Sequence, residues 1–188
     1  MKGKFTDPSG KATRSFCGSL YTFSGIDIGS GFAYSRAIAS RAGLLVQVIR
    51  LRDFIRANNK TLKILRTDNE FLATAIRTWC AQEHILLLSS LPHRHNKTRR
   101  IERFHRSTQD LMVKQLAHTS DLDARFWALS WLNAVELRNL FSRARLHGKS
   151  PAEVWFDRPY DLPKRPTIPF GSIVMSHIPI FSTNDDVW

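Results

Sequence analysis

The sequence predicts an α/β fold, a mixed five-stranded sheet with helices on both faces, and three observations lead there. Short apolar segments of strand length alternate with segments of helical periodicity, in the order strand, strand, strand, helix, strand, helix, strand, helix, helix. At 188 residues, 43% apolar and 23% charged, the chain can bury a sizeable core in one domain. From Trp155 onward prolines thicken (159, 163, 166, 169 and 179), so residues 1–155 are expected to form the domain and 156–188 an extended, Pro-rich C-terminal tail or linker.

Taken in order, a first strand is expected to end near Asp7, in Phe5-Thr6-Asp7-Pro8. Leu20 to Ile28 reads as a strand, and Phe32 to Ala39 as its hairpin partner across Gly29-Ser30-Gly31. Leu44, Val48, Leu51 and Ile55 recur at helical spacing while Arg50, Arg52 and Arg56 fall mostly on the other side, which predicts an amphipathic helix over Arg41 to Asn58. Thr61 to Arg66 is a short strand, closed by Thr67-Asp68-Asn69-Glu70 with the pattern of a capping box. Leu72, Ile76 and Trp79 mark a helix to about Gln82, and the all-apolar Ile85 to Leu88 fits a strand buried on both faces. Ser89 to Arg100 is polar, basic and Pro-containing, hence a loop. Two helices follow, about Arg100 to His118 and Asp121 to Arg143, before Gly148 and Pro151 end the pattern.

Composition narrows the function. The longest apolar runs, Gly43 to Ile49 and Ile85 to Leu88, fall far short of the roughly 20 residues that cross a bilayer, and no signal-peptide pattern opens the chain. A soluble intracellular protein without a membrane partner is expected. Cys17 and Cys80 cannot make a disulfide framework, and no histidine–cysteine set, His93 and His95 included, has zinc-finger spacing. Twenty-eight Lys and Arg against 16 acids give a net charge of +12. Nineteen of the 28 are arginine, whose planar fork suits phosphate oxygens. Solubility alone would account for some of this charge, but a polyanionic partner is the natural reading.

With so few acids, each position can be considered singly. Asp68 stands where a strand ends and a helix is expected to begin, the usual edge for sites in open α/β sheets. Asp7 stands at the end of the expected first strand. Glu102 opens a helix among Arg99, Arg100, Arg103 and Arg106. A carboxylate among arginines is ordinarily a member of surface ion pairs, so spacing alone leaves three candidates on a basic surface.

The motifs carry a resemblance. Ile64-Leu65-Arg66-Thr67-Asp68-Asn69-Glu70-Phe71 resembles the second-Asp motif of integrases from copia-type LTR retrotransposons, and Ile101-Glu102-Arg103-Phe104-His105-Arg106 resembles their third-acid motif at the start of a long helix. Phe126-Trp127 through Ala134-Val135 and Arg138-Asn139 is similar to the helix that follows. Gly148-Lys149-Ser150-Pro151-x-Glu153-Val154-Trp155-Phe156 and Phe170-Gly171 resemble the elements after it. Upstream, Tyr21-Thr22-Phe23 and Ile26-Asp27 resemble the second strand, about twenty residues after the first Asp, which points to Asp7. The motifs occur in order over nearly the whole chain.

The resemblance implies a ribonuclease H-like fold with residues 1–155 as integrase catalytic core, and a catalytic, metal-holding triad of Asp7, Asp68 and Glu102. Thirty-three residues separate Asp68 from Glu102, and the family's Gly-Gly absent after Asn69 explains why the interval is short. Asp27 is then a structural strand residue. The implied cofactors are two Mg²⁺ (or Mn²⁺) ions, one shared by Asp7 and Asp68 and the other held by Asp7 and Glu102. Two such ions position and stabilise both oxygens of an in-line displacement at phosphorus, and as hard cations they take carboxylate oxygens. The implied partner is DNA, element ends and target, met by Arg94, Lys97, Arg99, Arg100, Arg103 and Arg106. A homo-oligomer is implied too, with Trp127, Trp131 and Leu132 as interface or core residues. The implied location is the nucleus, or a cytoplasmic particle before import.

The chain departs from the family where Lys97-Thr98-Arg99 replaces Gln-Asn-Gly, His105 replaces Asn and His95 replaces Pro. Losing the loop glycine restricts its backbone. The family's N-terminal His/Cys zinc module and C-terminal DNA-binding tail are not in this sequence, so a polyprotein fragment is expected. An active strand transferase, a catalytically inactive DNA-binding relic of the same fold, and a related nuclease or transposase all remain open on these residues.

Overall fold

The computed structural model describes residues 13–67, 73–89, 99–119, 122–159 and 169–172. Among them lie four strands, β1 (Tyr21–Ile26), β2 (Ala33–Ile38), β3 (Ile64–Thr67) and β4 (Leu86–Ser89), and five α-helices, α1 (Leu44–Ala57), α2 (Thr74–Gln82), α3 (Arg99–His118), α4 (Trp127–Leu140) and α5 (Pro151–Phe156). The mixed α/β class is as the sequence predicts. Among the described residues the strands form two pairs, β1 and β2 antiparallel, β3 and β4 parallel, and a five-stranded sheet is not shown there. The fifth strand, expected near Asp7, and most of the Pro-rich tail lie outside the described residues.

Strict alternation explains how β1 and β2 are covered. Tyr21, Phe23, Tyr34 and Ile38 point to one face and pack with Val48, Leu51 and Ile55 of α1 and Trp155 of α5. A Cβ on Gly25 would lie 3.2 Å from Leu51 Cδ2, so the missing side chain lets α1 approach the strand. Ile26, Ala33 and Ala37 take the opposite face, against Phe104 and Met112 of α3 and Trp127, Trp131 and Val135 of α4. On that face Ser24 and Ser35 are register partners whose hydroxyls meet at 2.8 Å, and Trp131 Nε1 donates to Ser35 Oγ at 2.9 Å. Trp127 and Trp131 are core residues, 1% and 5% exposed, which settles the choice between core and interface for them; Leu132 packs against the same cluster, partly buried. Truncating either Trp to Ala would cost about 3–5 kcal/mol.

Helices α3 and α4 are joined by polar as well as apolar contacts. Ser130 Oγ, fully buried, donates to the Met112 carbonyl, and Gln115 Nε2 donates to Asn133 Oδ1 at 2.6 Å. At the end of α4 the Asn139 amide pairs both ways with the backbone of Ala33, accepting its N–H and donating to its carbonyl, each at 2.8 Å. This is the physical content of Asn139 in the helix motif: it satisfies the first residue of β2 on the side away from β1.

Several local expectations are corrected. Helix α2 starts at Thr74 with Ala73 as N-cap and no side-chain cap bond, so Thr67 does not cap it. Strand β4 is not buried on both faces: Leu86 and its register partner Ile64 are 56% and 54% exposed, while Ile85, just before the strand, is buried. The helix expected over Asp121 to Arg143 is a 3-10 turn, Ala124–Phe126, followed by α4, and ends at Leu140. Past Pro151 the chain turns helical again in α5, whose capping box pairs Ser150 Oγ with the Glu153 N–H and the Glu153 carboxylate with the Ser150 N–H. Its Trp155 ring stacks on Phe32 at 5.2 Å and Phe54 at 6.2 Å. Arg52 and Arg56 of α1 both bind Glu83 after α2, at 2.7 and 2.8 Å, and Arg52's hydrogen bond holds that carboxyl below the usual range.

Candidate active site

Asp27 is the first acid whose role is visible. It follows β1, so it is a turn residue and not a strand residue. Its Oδ2 accepts from the Ser30 N–H at 2.6 Å and the Ser30 hydroxyl at 2.7 Å, while its backbone closes the turn with Gly31 and Phe32. This is an Asx-type turn, with Gly31 at φ +75 as the left-handed residue. The carboxylate's capacity goes into the hairpin.

Against this turn lies the first turn of α3. Arg100 Nη1 donates to the Ile28 carbonyl, which ties the head of the helix to the hairpin. Phe104, Thr108 and Met112 are buried on the inner side of α3, while Arg100, Glu102, Arg103 and Arg106 are exposed on the outer side. The periodicity that hides the apolar stripe thus presents a carboxylate amid three guanidinium groups. An acid in the first turn also meets the positive end of the helix dipole. Among the described residues Glu102 has no hydrogen-bond or ion-pair partner, although Arg103 is adjacent and Arg106 one turn on. The ordinary fate of such an acid, a surface ion pair, is not realised there; the described ion pairs are Arg52–Asp53, Arg52–Glu83, Arg56–Glu83 and Arg125–Asp123.

Of the other expected site residues, Asp7, Asp68, Arg94 and Lys97 lie outside the described residues. Thr67, the position before Asp68, ends β3 and is the register partner of Ser89 at the end of β4. Arg99 begins α3. Among the described residues no three His, Cys, Asp or Glu side chains gather as a metal site. The described member of the expected donor set does suit a hard divalent ion: Glu102 is an accessible carboxylate that no described cation engages. His105, which stands where the family has Asn, packs its ring 5.6 Å from that of Trp131 and belongs to the α3–α4 contact.

The sequence reading passed over a second group of arginines, Arg138, Arg143 and Arg145, around the end of α4. Arg138 lies over the Phe104 ring at 5.2 Å and donates to Ser107 Oγ at 2.6 Å. Arg143 donates to the Arg138 carbonyl at 3.1 Å. Burial, then the neighbouring guanidinium, pulls both Arg138 and Arg143 below the usual arginine range. A signal was legible: no acid occurs between Glu136 and Glu153.

No helix among the described residues is long and apolar enough to cross a membrane. No protein-family model matches the sequence, and no curated protein matches it. Solved structures do match. The integrase catalytic core domain of HTLV-2, described in complex with magnesium in a trimeric form, superposes with a TM-score of 0.55 at 18% identity, over 71% of this chain and 83% of that one. The catalytic core of BIV integrase gives 0.53 at 21% identity, over 72% and 85%. A chain of the simian T-cell lymphotropic virus intasome, determined with PP2A regulatory subunit B56 gamma, gives 0.61 at 12% identity, over 91% of this chain but 56% of its own length. The fold of this chain is that of the retroviral integrase catalytic core.

Proposed function

We propose that the chain is the catalytic core of a copia-type retrotransposon integrase, which joins element DNA ends to target DNA by metal-dependent strand transfer. The observation that carries this reading is Glu102: in an integrase-core fold, an exposed carboxylate heads α3, partnerless among the described residues and flanked by exposed Arg100, Arg103 and Arg106. Asp7 and Asp68, assigned by the resemblance, complete the donor set. Two Mg²⁺ or Mn²⁺ ions, when bound, supply activation of the attacking oxygen and neutralisation of charge at phosphorus. The chain's own side chains supply the rest. The guanidinium groups of α3, with Arg94, Lys97 and Arg99, hold DNA phosphates by charge-assisted hydrogen bonds. The Asp27 turn and Arg100 fix the head of α3 against the hairpin, which sets where the Glu102 carboxylate stands. No covalent enzyme intermediate is needed, since water or a DNA 3′-hydroxyl is the nucleophile. The protein works as an oligomer in the nucleus, or in a cytoplasmic particle before import.

The test is strand transfer with blunt duplex DNA in Mg²⁺ or Mn²⁺. Asp7→Asn, Asp68→Asn and Glu102→Gln each lose at least ~100-fold in rate, the scale of removing one electrostatic stabiliser. Asp27→Asn retains activity, because an amide oxygen can still accept from Ser30. Wild-type activity in Asp68→Asn, or its loss in a folded Asp27→Asn, would overturn the assignment. A folded wild-type protein that binds DNA and transfers no strand would favour the inactive relic.

A further inference from the structure

Arg145, just after α4, and Arg100, at the head of α3, both meet the same hairpin turn. Arg100 donates to the Ile28 carbonyl. The Arg145 guanidinium lies over Gly31, with Nη2 2.5 Å from where a Cβ would stand, so a side chain there would displace it. Arg138 reaches α3 at Ser107, whose hydroxyl also donates to the carbonyl of Arg103. Arg143 donates to the Arg138 carbonyl. The loop carrying Arg143 and Arg145 is closed on itself: Arg143 N–H donates to the Lys149 carbonyl at 3.0 Å, and its own carbonyl accepts from Leu146 and Gly148. These side chains therefore leave from a fixed backbone.

None of Arg100, Arg138, Arg143 and Arg145 has a carboxylate partner among the described residues. The acids nearby are committed or turned outward: the Asp27 carboxylate to Ser30, the Glu153 carboxylate to the Ser150 N–H, and Glu136 exposed on α4. Arg138 and Arg143 are partly buried while Arg100 and Arg145 are exposed; the partly buried pair repel each other and have lost part of their hydration, costs that a phosphate oxygen relieves.

We propose that Arg138, Arg143 and Arg145, together with Arg100, form a phosphate-binding strip that carries the backbone of duplex DNA from the head of α3 across the hairpin turn to the end of α4. Resting on the function proposed above, the strip extends the DNA path beyond the arginines around Glu102 to a second, distant set of phosphates. Arg143 and Arg145 are its outer contacts. Arg138, over the Phe104 ring and bonded to Ser107, ties the end of α4 to α3.

The test is duplex-DNA binding by fluorescence anisotropy over a range of salt, comparing wild type, Arg143→Gln/Arg145→Gln and a control of equal charge loss, Arg50→Gln/Arg77→Gln on α1 and α2. Each lost phosphate contact lowers the slope of log K against log salt by about 0.9, so the first pair loses about 1.8 and the control almost nothing. Equal slopes for the two pairs, or a slope unchanged in Arg143→Gln/Arg145→Gln, overturn the strip. So does a variant that loses binding to phosphatidylserine vesicles but keeps its DNA slope. If the Gln pair does not fold, Arg143→Lys/Arg145→Lys serves: it keeps the charge and slope but weakens affinity through loss of the bidentate fork, and unchanged affinity overturns the proposal. A reduced slope in a protein without strand transfer upholds the strip while the enzymatic reading falls. An unchanged slope in an active enzyme does the reverse.

Discussion

Asp27 and Glu102 stand in neighbouring regions, the turn after β1 and the first turn of α3, bridged by the bond from Arg100 to the Ile28 carbonyl. Both are acids beside an apolar residue at the end or start of an element, and both are ringed by arginine in sequence or in space. Their treatment differs. One oxygen of the Asp27 carboxylate, Oδ2, accepts from both the N–H and the hydroxyl of Ser30, and the residue's backbone closes the same turn. Glu102 accepts nothing from the described residues. The difference teaches how to separate structural from available acids. A carboxylate tied to its own turn is part of the frame, and one left open amid cations is placed for a ligand.

Three substitutions sharpen that contrast. Asn139→Leu is expected to have the largest effect, because it strips a buried partner from both the N–H and the carbonyl of Ala33 and unpins the hairpin from α4. Unsatisfied backbone groups of this kind cost about 1–3 kcal/mol each, so a loss of about 2–6 kcal/mol in denaturant unfolding is expected. A loss under ~0.5 kcal/mol would mean the hairpin is not framed as described. Asp27→Ala removes two hydrogen bonds in a half-buried turn and should cost about 1–2 kcal/mol. Glu102→Ala, measured without metal, should change stability by less than ~0.5 kcal/mol, as for a surface residue without partners. Equal costs for the two acids would erase the distinction between them.

Much of the frame was legible in the sequence. The spacing of Leu44, Val48, Leu51 and Ile55 marked α1, and Val48, Leu51 and Ile55 are indeed buried; only its start moved from Arg41 to Leu44. Glycine and serine punctuation placed the hairpin within two residues at each end. The exposure of β4 was not legible, because an all-apolar run looks the same whether one face or both are covered, and Leu86 is covered on one side at most. Helix α5 was missed because six residues give too little periodicity, although Ser150-Pro151-x-Glu153 carried its start. The Thr67-Asp68-Asn69-Glu70 pattern does not mark the start of α2, which begins at Thr74, and Asp68 to Glu70 lie outside the described residues. Of the expected site, Glu102 was found with its place in the helix, while Asp7 and Asp68 rest on resemblance alone. The grouping of the arginines at the end of α4 was not legible because Arg138 meets α3, and Arg145 the hairpin, only in three dimensions.

The central claim, that Asp7, Asp68 and Glu102 converge to hold divalent metal, is tested most directly by thermal unfolding with and without Mg²⁺. Metal that binds only the folded geometry stabilises it, and at about ten times Kd adds ~1.4 kcal/mol. For a domain near this size that is a rise of roughly 3–6 °C. Asp68→Asn removes a ligand together with one of three mutually repelling charges. The account therefore predicts that Asp68→Asn melts above wild type without metal and loses most of the metal-dependent rise. A wild-type melting temperature indifferent to Mg²⁺ and Mn²⁺ up to ~20 mM, a range that reaches weak carboxylate sites, would contradict it.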